Sequence, residues 1–473
     1  MRWKWFPSFS AGWRVSEEKF MEWTKPVISS MKVRGSWGSI GDQTVSSSLY
    51  IPTMSTGFSS WIGGNGTRVF YVNTPSAISA SISWQKIETL GVGVDLRLLN
   101  NELGITFDWY QRDTKNMIVP TDGVNTITYG ASAPKANNGQ LRTKGWELSI
   151  DYNHRFANGL GIYGQFNIAD NRSVVKKFGD TKNLSDWYVG KEYGEIWGFK
   201  VDRLYQWDDF ETDANGNLIY RELTAADTDD PNCIGKSSYI LKPNADGSKP
   251  VYQSYFEGSS FHFGPGDVKY KDVDGDGKLS KGTKTTDDHG DLVKIGNSTP
   301  RLEYSFRLGA DWKGFDLSLM FQGIGKRKIW GQGPLCIAGY KYSDGCMAAA
   351  IADNYWREDH TDAFYPAAMG MGSGNDSYNF MVNDRYILNM AYLRLKNLTF
   401  GYTMPYALTS KIGVDKARLY FTAENLLTWD KLRGLPIDPE VETGNTYFGS
   451  PQDRTGVGTP TFKTVSIGIQ LNF

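Results

Sequence analysis

The 473-residue sequence has no run approaching the ~20 consecutive apolar residues that a membrane-crossing helix needs, and its mean hydropathy is −0.44. A helical membrane protein is therefore excluded. Net charge is also nearly absent: 51 basic against 52 acidic residues leave −1, with no basic stripe of the kind nucleic-acid binding requires. No nucleic-acid partner is expected. Cysteine is scarce, and Cys233, Cys336 and Cys346 fall in loop-like stretches without the paired spacing of zinc or thiol-redox sites. Cys336 and Cys346 could bridge one loop in an oxidising compartment or remain two thiols. Residues Met1 to Ser10 contain no basic segment leading into an apolar one, so no signal peptide is expected in the chain as given, and its start reads as internal or truncated.

What the sequence has in quantity is aromatic residues (14%), glycine (52 residues) and alternation. Leu90, Val92, Val94, Leu96 and Leu98 alternate with Gly91, Gly93, Asp95 and Arg97; Asn100-Asn101 then turns the chain into Leu103, Ile105, Phe107 and Trp109. The same hairpin pattern recurs around Asn158-Gly159 and Lys313-Gly314. Leu393 and Leu395 give way to Leu398, Phe400 and Tyr402, a phase slip at Asn397 that predicts a β-bulge. At the end of the chain Val465, Ile467, Ile469, Leu471 and Phe473 share one face of a strand, with Ser466, Gly468, Gln470 and Asn472 on the other.

About thirteen strands are predicted, at 3–15, 30–38, 66–73, 84–99, 102–119, 138–155, 159–178, 195–207, 297–313, 315–330, 386–404, 416–430 and 460–473. Tight turns alternate with long polar connections, above all 208–296 and 331–385. Long half-apolar strands joined alternately by short turns and long loops describe an all-β, antiparallel transmembrane barrel whose apolar face meets lipid. The competing reading is a soluble β-sandwich or repeat protein whose apolar faces pack on each other.

Asp272-Val-Asp274-Gly-Asp276-Gly277-Lys278-Leu-Ser280 places oxygen ligands at positions one, three, five and nine, a turn-permitting glycine at six and a backbone carbonyl at seven, the first half of an EF-hand calcium loop. Position twelve is Thr283, so Asp287, Asp288 or Asp291 would have to fold back to finish a calcium cage within about 272–288. The alternative is an acidic loop held by Asx-turns without metal. Arg307, Asp311, Arg394, Lys396 and Arg418 fall on polar faces and would wet a lumen, because charge on a lipid face near mid-membrane costs ~2–4 kcal/mol. No catalytic constellation emerges, and no cofactor is required.

Several stretches resemble the SusC/RagA-type TonB-dependent outer-membrane transporters: Phe6-Pro-Ser-Phe-Ser-Ala-Gly-Trp13 with Met31-Lys-Val-Arg-Gly-Ser-Trp-Gly38, then Asn138-Gly-Gln-Leu-Arg-Thr-Lys-Gly-Trp146, Pro265-Gly-Asp-Val-Lys-Tyr270 running into the acidic loop, Lys313-Gly-Phe-Asp-Leu-Ser318, Tyr392-Leu-Arg-Leu-Lys-Asn-Leu-Thr-Phe-Gly-Tyr402 and Leu419-Tyr-Phe-Thr-Ala-Glu-Asn-Leu-Leu427. The likeness spans nearly all of residues 1–473. It implies a bacterial outer-membrane location and a 22-stranded barrel of which this chain is the carboxyl-terminal part, the plug domain being absent. It further implies import of oligosaccharides or peptides energised by TonB through a missing amino-terminal region, with a SusD-like lipoprotein as lid. Phe473 resembles the carboxyl-terminal aromatic by which such barrels are recognised for insertion. Asn354-Tyr-Trp-Arg-Glu-Asp-His360-Thr-Asp362 resembles a family loop, and His360 beside Asp359 and Asp362 reads as packing or as an acid/base cluster. The competing function class is an extracellular β-rich protein that binds or cleaves glycans, suggested by Trp187, Trp197, Trp207, Trp330 and Trp356 in loop segments.

Overall fold

In the computed structural model, the structure describes residues 3–42, 53–75, 78, 82–120, 128, 134–258, 261–331, 333, 335–337, 347–368, 378–440 and 461–473. Cys346 lies outside them. The chain divides into two compact units, residues 1–155 with 163–193, and residues 156–162 with 194–473.

The first unit is an antiparallel meander of six strands in chain order: β1 Ser8–Trp13, β2 Ile28–Asp42, β3 Gln85–Leu98, β4 Leu103–Pro120, β5 Lys135–Arg155 and β6 Gly161–Lys177. Alternation decides its two faces. Val33, Val94, Phe107 and Leu148 lie opposite one another across β2 to β5, and so do Val92, Trp109 and Trp146 across β3 to β5. Arg34, Gly93, Asp108 and Glu147 form the adjacent row, one residue along each strand and hence on the other face.

The second unit carries five strands in the same up-and-down order: β7 Arg301–Trp312, β8 Phe315–Lys326, β9 Tyr392–Thr403, β10 Lys416–Asp430 and β11 Thr464–Asn472. Leu308, Leu319 and Leu398 align across β7 to β9, and Phe400, Phe421 and Ile467 across β9 to β11. On β11 Ile467 is 77% and Ile469 70% exposed, the arrangement of a face built for an apolar solvent. Phe473 sits just beyond this strand and is exposed. The predicted slip is present: Phe321 pairs with Leu395 and Met320 with Asn397, leaving Lys396 as the extra residue, so Leu393 and Leu395 stay on the same face as Leu398 and Phe400.

Eleven of the thirteen predicted strands belong to these meanders. The segment 66–73 instead forms Arg68–Val72, which among the described residues pairs with Thr56–Ile62 and not with the meander. The segment 195–207 breaks into Glu195–Gly198 and Val201–Leu204, which pair with Val293–Asn297 and Val268–Tyr270. Both candidates alternate, but alternation cannot tell a short ribbon in a loop from a wall strand. The described residues of the segments 208–296 and 331–385 form more than polar loops. With residues 199–207 and 432–437 they pack a shared core around Phe199, Tyr205, Phe210, Ile240, Tyr252 and Phe380, each at most 2% exposed. This loop domain is the hydrophobic core of the second unit, since the meander turns its apolar side chains outward.

Candidate functional site

The polar faces carry ion pairs that step over an intervening strand. Arg34 on β2 donates to Asp95 on β3 at 2.8 and 2.9 Å and to Asp108 on β4 at 3.0 Å. Its side chain crosses Gly93, where an added Cβ would collide with both Arg34 and Asp108. Arg97 reaches Asp151 across β4 at Gly104, and Arg418 on β10 reaches Asp316 on β8 at 2.9 and 2.5 Å across Gly401. Glycine inside these strands is thus the floor over which a guanidinium lies flat. Ser10, Gly12, Lys32, Arg34, Ser36 and Asp108 line an open polar recess of about 340 Å³ on the face of the first unit.

At one end of the second meander the charges are not wet. Arg394 is 4% exposed and donates to Thr428 (2.8 Å), Asp438 (2.6 Å), Glu440 (2.7 Å) and Thr461 (3.1 Å). Glu440 also accepts from Lys396 at 2.6 Å and from the Tyr392 hydroxyl at 2.8 Å. Burial would raise the Asp438 carboxyl, but hydrogen bonds from Arg394, Thr461 and Glu440 outweigh it and hold the group down at about 2. The cluster ties both flanks of the β10–β11 connection to β9, which corrects the expectation that Arg394 and Lys396 merely solvate a lumen. Arg418 is committed to Asp316 in the same way.

In the loop domain, ligand oxygens of Asp272, Asp274 and Asp276 all lie within 4.8 Å of one another. Gly275 (φ 75°) and Gly277 (φ 77°) donate their amides to Asp272 at 2.6 and 2.9 Å, and Lys278 donates its amide to Asp276 at 2.9 Å. Burial first, then the neighbouring carboxylates Asp276 and Asp272, pushes Asp274 upward. The residue that folds back is Asp291, 1% exposed, which accepts from Val273 at 2.7 Å and Ser280 at 2.8 Å. Asp287 is exposed and outside the group of three carboxylates, while Asp288 accepts from the Thr283 amide. The Ser280 hydroxyl accepts from Gly282 at 3.3 Å, and Leu279 anchors the loop in the core.

Just ahead of that loop in the chain, the buried carboxylate of Asp267 accepts from Asn379 at 2.6 Å and Gly264 at 2.9 Å; burial pushes it up to about 6 against those bonds. Glu257, also raised by burial, accepts from Ser238 and Phe263 and meets His262 at 2.9 Å, whose other ring nitrogen lies 2.9 Å from the Tyr220 hydroxyl. None of these was legible in the sequence, because the burial of both carboxyls and the contacts with Asn379, Tyr220 and Ser238 depend on segments distant in the chain. His360 lies 3.5 Å from the highly exposed Asp362, and Asp359 pairs with Arg357, an arrangement of a surface turn. Trp356 belongs to the core, Trp330 packs against that core, Trp197 donates to Glu195, and Trp207 is exposed. Trp187 instead joins Met117, Val119, Leu141, Val175 and Tyr193 around an almost wholly apolar recess of about 210 Å³ in the first unit. Burial pushes the thiols of Cys233 and Cys336 up to about 11 and 12, so neither is primed for redox chemistry.

The family model described as "TonB dependent receptor-like, beta-barrel" matches residues 1–426. "TonB-dependent receptor P3" of Formosa agariphila is 25% identical over 99% of this chain and 42% of its own length. "TonB-dependent receptor SusC" of Bacteroides thetaiotaomicron is 24% identical over 100% of this chain and 40% of its own length. Among solved structures, that of the RagAB peptide transporter superposes with a TM-score of 0.64 at 20% identity, covering 99% of this chain and 44% of the other. The chain therefore spans about two fifths of the length of these relatives.

Proposed function

Because the chain belongs to the TonB-dependent receptor-like β-barrel family of the bacterial outer membrane, of SusC/RagA type, we propose that it is the carboxyl-terminal barrel part of an importer for oligosaccharides or peptides. The observation that carries this reading is the division of both meanders into an apolar face and an ion-paired polar face, with a folded loop domain on the second unit. A wall of this kind gives a hydrated passage one polar side and the bilayer one apolar side. TonB, acting through an amino-terminal region, would supply the energy, and a SusD-like lipoprotein would close over the loops. The apolar recess beside Trp187 supports peptide over glycan, since sugar hydroxyls need polar partners that its lining scarcely offers.

Uptake of labelled oligopeptides and oligosaccharides by a host strain, with and without the gene segment encoding this chain, tests the proposal. Loss of uptake of one class is expected. Unchanged uptake of both, or glycan hydrolysis by the purified chain that one carboxylate substitution abolishes, overturns it.

Within the same reading the acidic loop is a calcium site, built by Asp272, Asp274, Asp276, the Lys278 carbonyl and Ser280, with Asp291, rather than Asp287 or Asp288, bracing it. A divalent cation would relieve the repulsion that raises Asp274. Chelation is expected to speed proteolysis within 265–296 and calcium to reverse it, whereas the Asp274→Asn variant should be cleaved rapidly in either condition. Identical digestion with and without chelator removes the proposal. Phe473 is the insertion signature in this reading, its exposed ring being available to an assembly factor.

A further inference from the structure

The apolar face of the first meander stops partway along its strands. On β3 the positions Leu98, Leu96, Val94, Val92 and Leu90 are followed on the same face by Glu88 and Lys86; on β4, Leu103, Ile105, Phe107 and Trp109 are followed by Gln111, Asp113 and Lys115; on β5, Tyr152, Ile150, Leu148 and Trp146 are followed by Lys144 and Arg142. No register shift interrupts these stretches. The change falls at one level, because Trp109 pairs with Trp146, and the next positions on that face pair Gln111 with Lys144, Asp113 with Arg142 and Glu88 with Asp113. A tryptophan pair marks the edge of the hydrocarbon, where an indole is half in lipid and half in water. The ionic band thus begins at headgroup depth, at the end of the strands that carries the long connections.

Three of the four cations on these strands meet two carboxylates there. Glu88 accepts from Lys86 at 2.6 Å and Lys115 at 2.5 Å, and Asp113 from Arg142 at 2.6 Å. The carboxylates lie beneath: the side chains of Glu88 and Asp113 are 19% and 11% exposed, against 39% for Lys115 and 35% for Arg142. Lys86 and Lys115 face each other directly across the strands, a like-charge pairing that Glu88 offsets only in part. Lys144, nearest the tryptophans, is exposed and has no ion-pair partner among the described residues. On β3 to β5 the most exposed charges are therefore positive, and the same face of β6 adds Arg172, paired with Glu192, beside Lys144 and Asp170 beside Trp146.

We propose that Lys86, Lys115, Arg142 and Lys144 form a binding site for the phosphate-bearing headgroup of an outer-leaflet glycolipid. The phosphate would sit against Lys144 and the exposed tips of Lys115 and Arg142, with the acyl chains along Val92, Phe107 and Leu148 below the tryptophans. Lysine and arginine in this position add charge-assisted contacts to the apolar contact of the band.

The test uses the full chain in detergent, with phosphorylated lipid A and enzymatically dephosphorylated lipid A as probes and native mass spectrometry as readout. Phosphorylated lipid A should remain bound at least about tenfold more than the dephosphorylated form, a difference of about 1.4 kcal/mol. Lys144→Gln, which breaks no ion pair, should lower that preference several-fold, and the Lys86→Gln, Lys115→Gln, Lys144→Gln combination should abolish it. Heat-modifiable gel mobility reports folding of each variant. Equal retention of both lipids by the unaltered chain, or an undiminished preference in a folded Lys144→Gln variant, overturns the proposal.

Discussion

Asp267 shows how one side chain responds to a setting that its sequence neighbours do not reveal. Its ordinary carboxyl value is ~3.9, and burial beside Asn379 brings it to about 6 in the folded loop domain. Between these values the folded chain holds a proton that the unfolded chain has released. The stabilisation is therefore full below about pH 4 and is lost as the pH rises to about 6. Glu257, raised by burial, acts in the same direction. Hydrogen exchange of the amides of residues 264–270 should be slower at pH 4.5 than at pH 6.5 after correction for intrinsic exchange, and Asp267→Asn should flatten the difference. An unchanged difference in that variant would refute the assignment. Asp438 behaves oppositely, since its contribution is lost only as the pH falls below about 4 towards 2. Removing Arg394 from above it would leave a carboxylate without its main counter-charge in a buried site, a change worth about 3–5 kcal/mol.

At the scale of the strand, the sequence located the bulge of β9 to within one residue of Asn397. The slip between Leu395 and Leu398 required one extra residue, and the register places it at Lys396. Deleting Lys396 should remove the bulge yet leave Leu393 and Leu395 in phase with Leu398, so heat-modifiable folding in detergent should survive, as it should in Lys396→Ala, which loses only the pair with Glu440. Loss of folding in the deletion variant but not in Lys396→Ala would show that β9 needs the bulge itself and not only the phase of its leucines. The candidate site was less legible. Three carboxylates at alternate positions of one turn are visible in sequence because their spacing is local. Asp291 could be named only as one of three candidates, and Asn379 and Glu440 were not recoverable as partners, because their positions depend on packing between segments far apart in the chain.

Across the whole molecule, the apolar faces lead to a solubility prediction. Ile467, Ile469 and Val465 alone expose a contiguous stripe on β11, and the faces of β3 and β8 add Val92, Phe315 and Leu317. The purified chain should require detergent, and light scattering after detergent removal should report association; a stable detergent-free monomer would contradict the membrane face. Alternation and turn chemistry were enough to determine antiparallel strands with one apolar and one polar face, because strand side chains alternate with period two whatever surrounds them. Only the tertiary structure decided that the long polar connections share a core, that Arg394 is buried in an ion cluster and that three arginines lie across glycines to reach a second strand. Those outcomes depend on which distant residues meet, and local periodicity carries no information about that.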